Sequence, residues 1–254
     1  MLTEDEKQRY DRQIRINGFG LEGQEKLKRA KVLVAGAGAL GSVIATYLAL
    51  AGVGCLRIVD DDVVELSNLN RQVLHWTGDI GKAKTQSAEE KLRQANPGVH
   101  VEAIAVRIGE DNVLQLASGC DLIMDAVDNY DTRYALNRAA LRSGIPFIHG
   151  GVYAMEGMAT TIVPGQTACL KCIFPAPPPP TTIPVLGAIP GMVGCLQATE
   201  AVKYITGIGE LLANRLLVVD GVDLRFREVR LQRNAECPDC SSLGPAGRKS
   251  GRGT

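Results

Sequence analysis

KVLVAGAGALGSVIATYLALAGVGCLRIVD, Lys31 to Asp60, carries the strongest fold signal in the chain. It reads as strand, glycine turn, helix, strand. Lys31 to Ala35 is a short apolar run rich in β-branched residues, and Gly36-Ala37-Gly38-Ala39-Leu40-Gly41 follows it with the spacing G-x-G-x-x-G. In that pattern the first glycine permits a tight turn, the second lets the backbone approach a phosphate, and the third lets the new helix sit close to the strand. The N–H groups that open the helix then face an anion, with the helix dipole behind them. A second strand, Cys55 to Val59, ends in Asp60, 19 positions after Gly41; roughly 20 is the usual distance to an acid that holds a ribose hydroxyl. Val32 to Leu56 carries no charged residue and is long enough to span a bilayer. Five glycines at turn positions (Gly36, Gly38, Gly41, Gly52, Gly54) and the β-branched ends favour the α/β reading.

Working outward, 254 residues suffice for one large α/β domain or a domain with an appendage. Basic and acidic residues balance at 28 each, so no global basic field points to nucleic acid as the main partner. The mostly charged start, Met1 to Tyr10, does not read as a signal peptide. The spacing of the seven cysteines favours thiols and metal over disulfides, and a soluble cytoplasmic protein without a membrane anchor is expected.

Thr3 to Arg15 reads as a helix opened by a Thr3/Glu6 capping box, with only a thin apolar stripe; Leu21 to Arg29 is a second helix. After Asp60 comes a long polar connection, DDVVELSNLNRQ, at the carboxyl end of a strand, where α/β proteins place function. Gly81 to Gln94 is a Lys- and Glu-rich helix, Val99 to Val106 a third strand, and Asp121 to Asp128 a fourth whose end again delivers an acid. Asp131 to Ser143 is a helix and Phe147 to His149 starts a further strand. This alternation predicts a doubly wound, mostly parallel Rossmann-like sheet with helices on both faces. Then the pattern changes: Met158 to Val163 reads as an antiparallel strand, and the prolines from Pro175 to Pro184 as an extended crossing segment. Gly191 to Thr206 is a helix, and Leu216 to Asp220 with Leu224 to Leu231 a final strand pair. The expected organisation is 1–165 for the N-terminal helices and nucleotide-binding part, 166–240 for the crossing segment, helix, antiparallel extension and zinc site of the same domain, and 241–254 as a disordered basic tail.

The most specific metal signal is the two C-x-x-C pairs, Cys169/Cys172 and Cys237/Cys240. Two such knuckles supply four thiolates for a closed tetrahedral zinc site, structural because no position is left for water. Cys55, Cys120 and Cys195 read as buried small hydrophobes. A second constellation is positive charge behind the glycine unit: Arg71 in SNLNRQ and Lys84 in GKAK. A dinucleotide needs little more than helix N–H groups; two further cations suggest a triphosphate being cleaved. Asp128 is placed to hold Mg²⁺ through one carboxylate, with phosphate oxygens as other ligands.

GAGALG, VDDDVVELSNLNRQ, GKAK, DAVDN, CLKC, LQATEAVK and CPDC, in this order, resemble the ThiF/MoeB family of adenylyltransferases, relatives of ubiquitin-activating enzymes, from about Tyr10 to Cys240. The resemblance implies ATP-dependent adenylylation of the C-terminal carboxylate of a ubiquitin-like or sulfur-carrier protein ending in Gly-Gly. It implies that Gly36, Gly38, Ala39 and Gly41 line the nucleotide loop and that Asp60 takes the ribose. By the same resemblance Ser67, Asn68, Leu69, Asn70 and Arg71 would form the phosphate-side loop, Arg71 and Lys84 would meet the phosphates, and Asp128 with Asn129 would hold Mg²⁺. Arg12, in YDRQIR, corresponds to an arginine that reaches the partner subunit's site in a homodimer, and the cysteine pairs to the family's zinc site. One departure is a crossing segment that lacks the cysteine many relatives use for a thioester or persulfide. Thr182 falls about where it is expected, so adenylylation without an onward thioester step is the expectation. An NAD-dependent oxidoreductase would fit the glycine unit and Asp60 alone, but leaves Arg71, Lys84, Asp128 and the cysteine pairs unexplained. An enzyme activating a tRNA base or a small carboxylate would share the ATP site without the protein substrate. A non-catalytic scaffold would bind nucleotide or a ubiquitin-like protein without turnover, which the intact Arg71, Lys84 and Asp128 argue against.

Overall fold

The computed structural model describes residues 1–177 and 184–243. One eight-stranded sheet organises the chain, in the order β3-β2-β1-β4-β5-β6-β7-β8. β1 (Lys31–Ala35), β2 (Cys55–Val59), β3 (His100–Ile104), β4 (Leu122–Asp125) and β5 (Phe147–Tyr153) run parallel, while β6 (Glu156–Ile162), β7 (Arg215–Asp220) and β8 (Arg225–Arg230) continue the sheet antiparallel. β1 lies between β2 and β4, so the order reverses there and opens the crevice in which such sheets bind ligands.

The alternation of side chains along each strand divides the core in two. Val32, Val34, Leu56, Ile58, Leu122, Met124 and Ile148 face α3 (Gly20–Arg29), α4 (Ala39–Ala51), α5 (Lys84–Ala95) and α9 (Ala188–Thr206). Leu33, Ala35, Val59, Ile123 and Phe147 face α6 (Val113–Ala117), α7 (Tyr130–Ser143) and α8 (Leu170–Ile173), together with Cys169, Cys237 and Cys240. The charge-free stretch is therefore the middle of a two-sided core, and none of the described helices is long and apolar enough to cross a membrane.

The sequence-based boundaries need several corrections. The N-terminal helix is two, α1 (Glu4–Arg9) and α2 (Asp11–Ile14), broken where Tyr10 turns inward; its hydroxyl accepts from Asn96 Nδ2 at 2.8 Å. The Thr3/Glu6 capping box is present. α5 begins at Lys84 rather than Gly81, β3 is shorter than expected, and α6 was not anticipated because five residues carry too little periodicity. β4 stops at Asp125, so Asp128 sits three residues beyond the strand. α9 begins three residues earlier than expected; Pro190 is tolerated because the first turn of a helix has no partner for its N–H groups. Cys120 is buried as expected, whereas Cys55 and Cys195 are half-buried. Thr182, the proline run 178–180 and residues 244–254 of the basic tail lie outside the described residues.

Candidate nucleotide site and cysteine cluster

The glycine unit bends as its pattern requires. Gly36 has φ +99°, and a Cβ there would lie 2.5 Å from the Ala126 carbonyl oxygen; a Cβ on Gly41 would overlap the Gly36 carbonyl. Both close approaches demand glycine. Gly38 opens α4 and faces the crevice, with the Gln72 amide across it. Ala39 is the first residue of α4 and is half-buried.

Asp60 is at the end of β2, partly buried, and already holds the loop: Oδ2 accepts from Ala37 N at 2.7 Å and Oδ1 from Asp62 N at 2.9 Å. Burial raises its carboxyl above the usual range, against the pull of those N–H groups and of Lys84. A carboxylate has about four lone-pair sites, so room remains for a ribose hydroxyl.

In the phosphate-side loop, Asn68 is buried and its Oδ1 accepts from Glu65 N at 3.1 Å, while Ser67, Asn70 and half-buried Leu69 line the surface. The Arg71 guanidinium folds over this loop, donating to Ser67 O at 2.8 Å and Asn70 Oδ1 at 2.9 Å. The start of α9 presses on the same loop, since a Cβ on Gly187 would lie 2.5 Å from Asn70 O. Gln72, 5% exposed, leaves its Oε1 without a partner among the described residues.

Lys84 is the first residue of α5. Its side chain is 7% exposed, and among the described residues its ammonium meets only the Asp62 carboxylate, itself 66% exposed, at 2.7 Å. Asp128 is exposed, on the loop that Ala126 N ties to Ala35 O at 2.9 Å, immediately beside Gly36. Asn129 caps α7, its Oδ1 accepting from Thr132 N at 2.9 Å. The loop before Asp128 is anchored from below: the buried Asp125 carboxylate accepts from His149 Nδ1 at 2.6 Å, with Arg133 Nε at 3.3 Å. Val127 is held at both ends, its N–H by Asp125 Oδ1 and its carbonyl by Arg133 Nη2 at 2.7 Å. Complete burial keeps His149 below its ordinary pKa, although Asp125 opposes the shift.

The glycine unit, Asp60, Lys84 and Asp128 thus gather at the carboxyl ends of β1, β2 and β4. Arg12 does not join them. Its neighbour Gln13 donates to Ala51 O at 2.8 Å, at the far end of α4 from Gly38, and a helix of that length separates the two ends by ~20 Å. Arg12 is exposed on α2.

The four sulfurs of Cys169, Cys172, Cys237 and Cys240 all lie within 4.8 Å of one another, with Sγ–Sγ separations of 3.8 Å (169–172), 3.6 Å (169–237) and 3.5 Å (172–240). Zn–S bonds of about 2.3 Å in a tetrahedron need sulfurs somewhat under 4 Å apart, so the donor set fits zinc. Burial pushes the Cys169 thiol far up and Cys240 up to about 11, while at Cys172 the burial penalty is outweighed by the Asn234 N–H and neighbouring donors, which hold that thiol down; ionising Cys169 and Cys240 as well calls for a cation among them.

Sequence reasoning missed the groups beneath the site: His75, Ser87, Lys91 and Asp79 under the glycine loop, and Asp125, His149 and Arg133 under the Asp128 loop. A single histidine inside LHW carries no spacing signal, and buried polar partners separated by tens of residues leave no local pattern.

Known proteins match the chain over nearly its whole length. The model of the ThiF family matches residues 10–239. The chain belongs to the ThiF family. It is 46% identical over 242 residues to a SAMP-activating enzyme E1 of Haloferax volcanii, covering 93% of this chain and 89% of that protein. To a sulfur carrier protein adenylyltransferase of Thermus thermophilus it is 43% identical over 249 residues, covering 94% and 92%. The fold of this ThiF-family chain is also that of E. coli MccB in its structure with MccA-N7isoASN, at a TM-score of 0.84 and 24% identity, covering 91% of this chain and 74% of that one. As a member of the family it is an adenylyltransferase of the type related to ubiquitin-activating enzymes.

Proposed function

We propose that this enzyme adenylylates the C-terminal carboxylate of a small ubiquitin-like or sulfur-carrier protein ending in Gly-Gly. A carboxylate oxygen bonds to the α-phosphorus of ATP, the bond from that phosphorus to the bridging oxygen breaks, and pyrophosphate leaves with the electron pair. The observation that carries the reading is the nearly buried Lys84 ammonium, held by a solvent-exposed carboxylate, at a crevice formed by the glycine unit and Asp60. Nucleophile and triphosphate are both anionic, so the chain must supply positive charge where they meet. Arg71 and Lys84 are the groups for the phosphates, Gly36, Gly38, Ala39 and Gly41 for the loop that receives them, and Asp60 for the ribose. Ser67, Asn68, Leu69 and Asn70 shape the other wall.

Asp128, with Asn129 beside it, is the group that would hold Mg²⁺, which screens phosphate charge when bound. The four cysteines would hold zinc as a clip. Arg12 lies too far from its own chain's glycine loop to serve it, which supports a homodimer in which it serves the partner's site. No cysteine stands between Cys172 and Cys195, so we assign release of the adenylate without a thioester on the crossing segment. The seven unpaired cysteines support a reducing, cytoplasmic setting.

The test is ATP–pyrophosphate exchange with Mg²⁺, with and without carriers ending in Gly-Gly. Carrier-dependent exchange that falls at least about a hundredfold in both Arg71→Ala and Asp128→Ala is expected. Exchange without any carrier, or near-normal exchange in both variants, overturns the assignment.

A further inference from the structure

Ala37, the first non-glycine residue of the nucleotide loop, is gripped on both of its backbone polar groups. Asp60 takes its N–H, and its carbonyl meets His75 Nε2 at 2.9 Å. His75 is 3% exposed, and its other nitrogen, Nδ1, lies 2.9 Å from Ser87 Oγ. Ser87 is completely buried on α5 and receives the Lys91 ammonium at 3.0 Å. That ammonium has three protons and three acceptors: Ser87 Oγ, Ser87 O and the Asp79 carboxylate.

The direction of every bond follows. The Ala37 carbonyl oxygen can only accept, so His75 Nε2 carries a proton and donates to it; in the neutral ring Nδ1 is then the acceptor, and the Ser87 hydroxyl, which accepts from the Lys91 ammonium, gives its own proton to Nδ1. We propose that His75 is a positioning residue for adenylylation: the donor chain Lys91–Ser87–His75 locks it in the Nε2–H tautomer, and that proton fixes the Ala37 carbonyl so that the N–H groups of Gly38 and Ala39 stay aimed at the nucleotide. The inference rests on the nucleotide reading of the loop. The charges facing the imidazole agree with a neutral ring: it is buried, and Lys84 and Lys91 stand near it, opposed by Asp60; the net shift is downward. A protonated ring would present two donors to Ser87 and Ala37, and Ser87 Oγ would face two donors at once. The Lys91–Asp79 pair anchors the chain's far end.

Three variants of the protein, the original among them, separate the two nitrogens. An asparagine amide replaces Nδ1 and a glutamine amide replaces Nε2, so His75→Asn keeps the Ser87 bond and loses the Ala37 bond, while His75→Gln does the reverse. ATP affinity, measured directly by calorimetry, is expected to weaken about tenfold in His75→Asn and to stay within about threefold of the original in His75→Gln. In exchange assays the KM for ATP should carry the change, with kcat little altered. Equal ATP affinity in the two variants, or an unchanged KM in His75→Asn, overturns the proposal. A second readout survives any folding defect: the chain has three histidines, and nitrogen-15 spectra of the unaltered protein should show His75 neutral and Nε2-protonated from about pH 6 to 8. An Nδ1-protonated or titrating His75 overturns the proposal. Failure of the unaltered protein to bind ATP would instead sink the nucleotide reading, leaving the tautomer result standing.

Discussion

Replacing Lys84 by Met separates what its charge does for the reaction from what its stem does for the fold. The side chain is 7% exposed, so its methylenes are packed, and Met keeps most of that contact. Among the described residues the charge has one partner, Asp62, which is 66% exposed and returns to water when the ammonium goes. Such a half-solvated pair is worth at most ~1 kcal/mol, and removing a buried ammonium recovers part of its desolvation cost. The net change in stability is therefore within ~1 kcal/mol, a melting shift of about 2–4 °C for a chain of this size. The reaction loses far more. A preorganised cation facing developing pyrophosphate charge in a water-poor site contributes ~3 kcal/mol or more, about a hundredfold or more in rate.

Carrier-dependent pyrophosphate exchange and thermal melting on the same preparation check both halves. Were Lys84 only the counter-charge that seats the Asp62 loop, exchange would survive and melting would suffer. Near-normal exchange in Lys84→Met refutes the reasoning outright, as does a melting loss large enough to account for the lost activity by unfolding.

Three further outcomes are expected. Mixing Arg12→Ala with Lys84→Met, each expected to be nearly inactive alone, should restore up to roughly a quarter of normal exchange, because in the proposed homodimer a mixed pair would hold one intact composite site; no recovery after subunit exchange would show that Arg12 does not act across a dimer. Protein purified without chelator should carry one zinc per chain, and Cys237→Ser should lose it with a fall in melting temperature of about 10 °C or more; a zinc-free protein with an unchanged melt refutes the clip. Acid should weaken the fold between about pH 4 and 2. Burial alone would raise the Asp79 and Glu102 carboxyls, but Lys91 and the Trp76 N–H outweigh it for Asp79, and Lys31 and Arg57 for Glu102, holding each at about 2. A carboxyl depressed in the folded state stabilises above its ordinary pKa, and that stability is lost as pH falls through the folded value. Each contributes on the order of 1–2 kcal/mol, so denaturant melts at pH 5 and pH 3 should differ in the original more than in Asp79→Asn.

The parallel half of the sheet was legible because its signals are local: apolar runs at Val32–Ala35 and Leu122–Met124, a glycine turn, and acids at strand ends. The paired cysteines were legible for the same reason, since each knuckle is complete within four residues. What escaped was whatever depends on partners distant in the chain. The break at Tyr10 exists because Asn96 and the end of α4 receive its ring and hydroxyl. Lys84 reads as a cation on a charged helix, yet it opens α5 and is buried, which only the return of the chain along Asp62 reveals. The polar layer beneath the site is invisible for the deeper reason that single buried residues, His75 or Arg133, look like any other polar residue until their neighbours are known.

That layer also explains why the cysteine cluster and the nucleotide crevice form one unit although they lie on different parts of the sheet. α7 serves both. At its start Asn129 caps the helix next to Asp128; two turns later Asn137 Oδ1 accepts from Leu170 N and its Nδ2 donates to Asp239, one contact to each cysteine knuckle, both at 2.9 Å. Phe174, just past the first knuckle, packs edge-on against His149 at 5.6 Å, and its carbonyl accepts from the Tyr134 hydroxyl at 2.7 Å. His149 in turn grips Asp125, whose other oxygen holds the Val127 N–H beside Asp128. Buried ionic groups are costly to leave half-partnered, so the Asp125–His149–Arg133 cluster tolerates few arrangements. The proposed metal clip, by fixing Phe174 against His149, would therefore narrow the positions open to Asp128, and the cysteines would then serve the site's geometry as well as the chain's C-terminal end.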